Sequence, residues 1–133
     1  FVTTLSDIRS GAALGHRNLL MTKLLRAVDQ LPDLNLKATM ILIGGSTIGS
    51  KPDPSDVDAV VFYEAQGNPS QGFAKNLATI QKTSKQNDAD IRFIPSDGDQ
   101  IILARALIYY GMLYSKSEGS MNIERGLVLV DCR

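Results

Sequence analysis

Between residues 44 and 58 stand Gly44, Gly45 and Ser46, and then Asp56 and Asp58 with Val57 between them. A glycine turn leads to two carboxylates, and Asp58 opens directly into Ala-Val-Val-Phe-Tyr, residues 59 to 63. That apolar run reads as a buried strand. In an extended strand residues i and i+2 leave the same face, so Asp56 and Asp58 are expected to address one point together. Two carboxylates that close repel unless a cation lies between them or one holds a proton. A hard divalent cation such as Mg²⁺ suits oxygen ligands and often keeps phosphate oxygens as further ligands. The candidate chemistry is therefore phosphate handling through a metal.

Elements that can position these residues are legible on either side. Residues 14 to 30 set Leu14, Leu20, Leu24 and Val28 near helical spacing, and Pro32 predicts that the helix ends nearby. Residues 39 to 43 read as a strand running into the glycine turn. Residues 51 to 55, Lys-Pro-Asp-Pro-Ser, read as a rigid connection, and 57 to 63 as a second strand. A loop over 65 to 71 precedes a helix over about 71 to 83 with Phe73, Leu77 and Ile80 on one side. Residues 89 to 94 alternate, with Ile91 and Phe93 on one face and Asp90 and Arg92 on the other. A helix over 99 to 110 follows, carrying Ile101, Ile102, Leu103, Ala106 and Leu107. Residues 115 to 122 are mostly polar, and 126 to 131 read as a last strand. The expectation is one α/β (α+β) domain over residues 1–133, a small mixed sheet of about four strands with helices packed on it.

Composition narrows the function. Lys plus Arg is 14 and Asp plus Glu is 14, giving a net charge of zero. That balance, without interleaved basic and aromatic residues, argues against gripping long DNA or RNA. Cys132 is the only cysteine, so no internal disulfide forms and a disulfide-built secreted domain is excluded. No apolar run approaches the length of a membrane span, and no secretory signal pattern is present. The cytoplasm is the expected location.

The stretch Leu-Ile-Gly-Gly-Ser-Thr-Ile-Gly-Ser-Lys-Pro-Asp-Pro-Ser-Asp-Val-Asp-Ala-Val-Val-Phe-Tyr, residues 42 to 63, resembles the nucleotidyltransferase superfamily that includes polymerase beta. The shared pattern is a Gly-Ser turn, a gap of about ten residues, and then acidic-hydrophobic-acidic-hydrophobic. The order of helix, strand, turn, acidic strand, helix and strand also resembles that family's minimal catalytic core. The resemblance implies a third carboxylate on a later strand, for which Asp90 fits and Asp88 is the rival. It implies a nucleotidyltransferase-type fold in which Asp56, Asp58 and Asp90 hold one or two Mg²⁺ ions and catalyse. Gly44, Gly45 and Ser46 would bind the phosphates of an NTP. The reaction implied moves a nucleoside monophosphate to a hydroxyl or phosphate of a small-molecule or protein acceptor and releases pyrophosphate. A non-catalytic nucleotide-binding or protein-interaction module with the same fold is the alternative. The short chain lacks an evident acceptor domain, and small relatives act as homodimers or with a helical partner protein, in some cases in toxin–antitoxin pairs.

Other residues carry two readings each. Lys51 either reaches a phosphate or is solvated. Arg92 touches phosphate, tunes Asp90 or lies on the surface. Tyr109, Tyr110 and Tyr114 form ordinary core or a dimer surface, or stack a base. His16 reads as structural or solvent-facing and Cys132 as inert, and a lone histidine gives little support for a zinc hydrolase.

Overall fold

The computed structural model describes residues 2–10, 18–44, 56–115 and 127–133. The elements are β1 (Val2–Thr4), α1 (Leu5–Ser10), α2 (Asn18–Val28), β2 (Leu36–Gly44), β3 (Val57–Ala65), α3 (Phe73–Gln86), β4 (Ala89–Pro95), α4 (Gln100–Ser115) and β5 (Val128–Asp131). The fold is mixed α/β, a sheet with helices packed on it. The sheet has five strands in the order β1-β5-β2-β3-β4. Strand β2 runs antiparallel to both β3 and β5, while β3 with β4 and β1 with β5 run parallel.

The sheet exceeds the expected four strands because of β1. Only Thr3 of its three residues is buried, too short a segment for an alternation to register. Its partner β5 lies at the far end of the chain. Helix α2 stops at Val28, and Pro32 opens a single 3₁₀ turn, Pro32–Leu34, closed by Asn35 in the left-handed conformation (φ 57°). Leu20, Leu24 and Val28 are buried as their spacing predicts. Leu14, His16 and residues 116–122 lie outside the described residues.

Each face of the sheet has its own core. On one face Ile41, Ile43, Ala59, Val61 and Ile91 pack with Leu20, Leu24 and Val28 of α2 and Leu77 and Ile80 of α3. On the other, Leu42, Val60 and Phe62 are covered by Leu103, Ala106, Leu107, Tyr110 and Tyr114 of α4. Strands buried on both faces become continuous apolar runs, which is why residues 59 to 63 show no alternation. Helix α3 carries the chain from β3 to its parallel neighbour β4. Helix α4 begins beyond the end of β4 and returns across the sheet, so that Tyr114 lies against Gly44. None of the helices among the described residues is long and apolar enough to cross a membrane.

Candidate functional site

Strand parity places the acidic residues. Asp58 shares its face with Val60 and Phe62, and Asp90 shares its face with Arg92 and Ile94. All therefore leave the sheet on the α4 side. In the parallel register Asp58 is the Cα partner of Asp90. Neighbouring strands lie about 4.8 Å apart, so these two carboxylates leave one face as immediate neighbours.

With Arg92 and the side chains of Tyr109, Tyr110, Leu113 and Tyr114 they line a cleft of about 280 Å³. The Oδ1 atom of Asp90 is buried and has no hydrogen-bond partner among the described residues. The cation beside it is Arg92, whose Nε stands 3.6 Å away, an ion pair longer than a hydrogen bond. Buried oxygens without a partner are uncommon in folded proteins, and a site for an ion is one of the standard reasons for them. Tyr114 closes the inner end of the cleft. Burial raises its phenol pKa above the ordinary value, and the Asp58 and Asp90 carboxylates and Tyr110 raise it further. The hydroxyl therefore keeps its proton at neutral pH and can donate a hydrogen bond.

Asp56 occupies a different position. It lies exposed in a bend just before β3 starts at Val57. Among the described residues no group of three or more His, Cys, Asp or Glu side chains is placed to hold a metal. The structure thus assembles a pair of carboxylates, Asp58 with Asp90, and Asp56 does not join them as a third. The i, i+2 argument holds only for residues that are both within the strand, and Asp56 precedes the first paired one. The rival Asp88 also stands apart: its φ is 65°, and its carboxylate pairs with Lys23 at 3.5 Å.

Gly44 is the last paired residue of β2, opposite Asp58, one residue beyond the expected end of that strand. A Cβ there would overlap Cβ and Cγ of Tyr114. Its want of a side chain therefore serves the packing of α4, and through it the inner wall of the cleft. Gly45, Ser46 and Lys51 lie outside the described residues.

Sequence reasoning undervalued the tyrosine wall. Ending the last helix at residue 110 separates Tyr114 from Tyr110. The helix in fact continues to Ser115, so residues 110 and 114 share a face, with ring centroids 5.8 Å apart. Tyr109 stands edge-on to Tyr110 at 5.0 Å. The signal that could have revealed this is the apolar composition of residues 101 to 114, interrupted only by Arg105 and without a helix breaker except Gly111.

A family model matches residues 1–131. The chain belongs to the family of unknown function DUF6932. The matched span takes in every strand of the sheet, from β1 to the end of β5. No curated protein and no solved structure matches the chain.

The donor set fits a hard divalent cation. Mg²⁺ is usually held by one or two carboxylates together with substrate phosphates and water, and a two-aspartate floor beside an arginine and tyrosine hydroxyls offers that chemistry.

Proposed function

We propose that this protein is a Mg²⁺-dependent nucleotidyltransferase. It would transfer a nucleoside monophosphate from an NTP to a hydroxyl or phosphate of a small-molecule or protein acceptor. The observation that carries the reading is the side-by-side placement of Asp58 and Asp90 in parallel register, with the buried Oδ1 of Asp90 lacking a hydrogen-bond partner among the described residues. The likeness of residues 42 to 63 to the nucleotidyltransferase motif supports the same conclusion.

In this reading Asp58 and Asp90 hold the metal, and Asp56 contributes negative charge from the mouth of the site. Bound Mg²⁺ supplies neutralisation of the triphosphate oxygens. Arg92 meets phosphate. The Gly44-Gly45-Ser46 segment and Lys51 bind the phosphates, and the tyrosines of α4 take the base. Asp90 accepts the proton of the attacking hydroxyl as its oxygen bonds to the α-phosphorus. The bond from that phosphorus to the β-phosphate oxygen breaks, and pyrophosphate leaves. Catalysis of this kind rests on positioning and charge neutralisation rather than covalent chemistry.

A second reading, nucleotide binding without turnover, draws on the assembly of two carboxylates where the motif calls for three. Titration calorimetry with each NTP, in Mg²⁺ and in EDTA, tests the shared part. Binding should require Mg²⁺ and be lost in Asp58→Asn and Asp90→Asn. Absence of binding by every NTP sinks both readings. Pyrophosphate release on adding acceptors then separates turnover from binding alone.

A further inference from the structure

Gly44, Asp58 and Asp90 stand in one row across the sheet. Gly44 is the Cα partner of Asp58, and Asp58 is the Cα partner of Asp90. With strands about 4.8 Å apart, the row spans about 10 Å. A triphosphate whose metal sits on the two carboxylates would reach along it to the Gly44 backbone.

Tyr114 stands on the Gly44 end of that row. A Cβ at Gly44 would overlap Cβ and Cγ of the tyrosine, which is itself only 7% exposed. Tyr114 also walls the cleft over Asp58 and Asp90, and Gly44 does not line that cleft. The close approach that a glycine permits is thus taken by a side chain of this chain. From the cleft a metal ion can reach the carboxylates. A triphosphate cannot reach Gly44 as well while Tyr114 is seated there.

The last turn of α4 carries a weak point. Gly111 lies between Tyr110 and Tyr114 within the helix. A Cβ there would meet nothing within 4 Å, and its φ is not in the left-handed region. Neither packing nor backbone conformation therefore calls for a glycine at this position. A glycine inside a helix lowers its stability relative to alanine, and hinges form at such points.

We infer that Tyr114 is an autoinhibitory plug. Residues 111 to 115 close on Gly44 in the free protein and swing out about Gly111 when a nucleoside triphosphate binds with Mg²⁺. A ligand shifts such an equilibrium only through its preference for one state, and only the open state uncovers Gly44. Tyr109 and Tyr110 precede the hinge and stay in place, so the base falls to those two. This regulation rests on the proposed function.

Calorimetric titration of each NTP with Mg²⁺ into the wild type, Tyr114→Ala and Gly111→Ala is the test. An open state populated at about 10% or less weakens the apparent affinity at least about tenfold. Tyr114→Ala should therefore bind the NTP about tenfold or more tightly than the wild type. Gly111→Ala should bind it about two- to fivefold more weakly while melting at a higher temperature. Opposite signs of affinity and stability distinguish a hinge from a merely structural glycine. A Tyr114→Ala variant that binds no more tightly than the wild type overturns the plug and leaves the proposed function standing. If Tyr114→Ala fails to fold, unchanged or tighter binding by Gly111→Ala overturns it in the same way. No binding of any NTP by any of the three proteins overturns the proposed function and the plug with it.

Discussion

Gly44→Ala should destabilise the protein, although it adds a single methyl group to a strand. The added Cβ would lie 2.5 Å from Cγ and 2.8 Å from Cδ2 of Tyr114, and nearer still to Cβ. Carbon atoms prefer separations of about 3.5–4.0 Å. Rotation about χ1 can swing the ring away but cannot move Cβ, which rides on the α4 backbone. The last turn of α4 must therefore lift off the end of β2. Overpacking of this kind costs about 1–3 kcal/mol. The narrower unfolded ensemble of alanine returns roughly 0.4–1 kcal/mol of that. A net loss of about 1–2 kcal/mol corresponds to a melting temperature lower by roughly 4–8 °C for a chain of this size. Urea unfolding followed by circular dichroism measures it. In a Tyr114→Gly background the Cβ is gone and the cost of Gly44→Ala should vanish, a coupling of about 1–2 kcal/mol. An alanine variant as stable as the wild type, or one equally costly in both backgrounds, would refute the packing argument.

Saturating Mg²⁺ should raise the stability of the wild type by about 2–3 kcal/mol when its concentration is about a hundred times Kd. It should do little for Asp90→Asn, whose carboxamide is a poor ligand; equal shifts in both would count against the metal site. The raised pKa of Tyr114 predicts a pH dependence. The folded state holds this proton above the pH at which an unfolded tyrosine, with a pKa of about 10, loses it. The contribution is therefore fully present below about pH 10 and declines as pH rises beyond it. Urea midpoints from pH 8 to 11, in a Cys132→Ser background, should fall more steeply with Tyr114 than with Tyr114→Phe. Burial, with help from Asp131, pushes the Cys132 thiol up to about 11. Its reaction with a disulfide reagent at pH 8 should thus be at least about tenfold slower than in urea-unfolded protein. Equal rates would contradict its burial.

The sequence by itself determined most of the elements and the faces of the interior ones; β1 and α1, three and six residues long, are too short to register in it. Alternation in residues 89 to 94 put Ile91 and Asp90 on opposite sides of a strand, and they are so placed. Apolar spacing in α2 and α3 named Leu20, Leu24, Val28, Leu77 and Ile80, all of them buried. These are local properties, set by the periods of helix and strand. Four things depended on tertiary structure. Strand β1 exists because β5, from the other end of the chain, offers it an edge. Asp90 meets Asp58 because β3 and β4 pair in parallel with that register, which no spacing within either strand specifies. Asp56, one residue short of β3, is left out of the pair for want of the strand geometry that would have aimed it. The tyrosines became a wall because α4 crosses back over the sheet until Tyr114 meets Gly44. Periodicity states which way a side chain leaves its own backbone. What it then faces is settled by contacts between segments far apart in the chain, and the candidate site is built from such contacts.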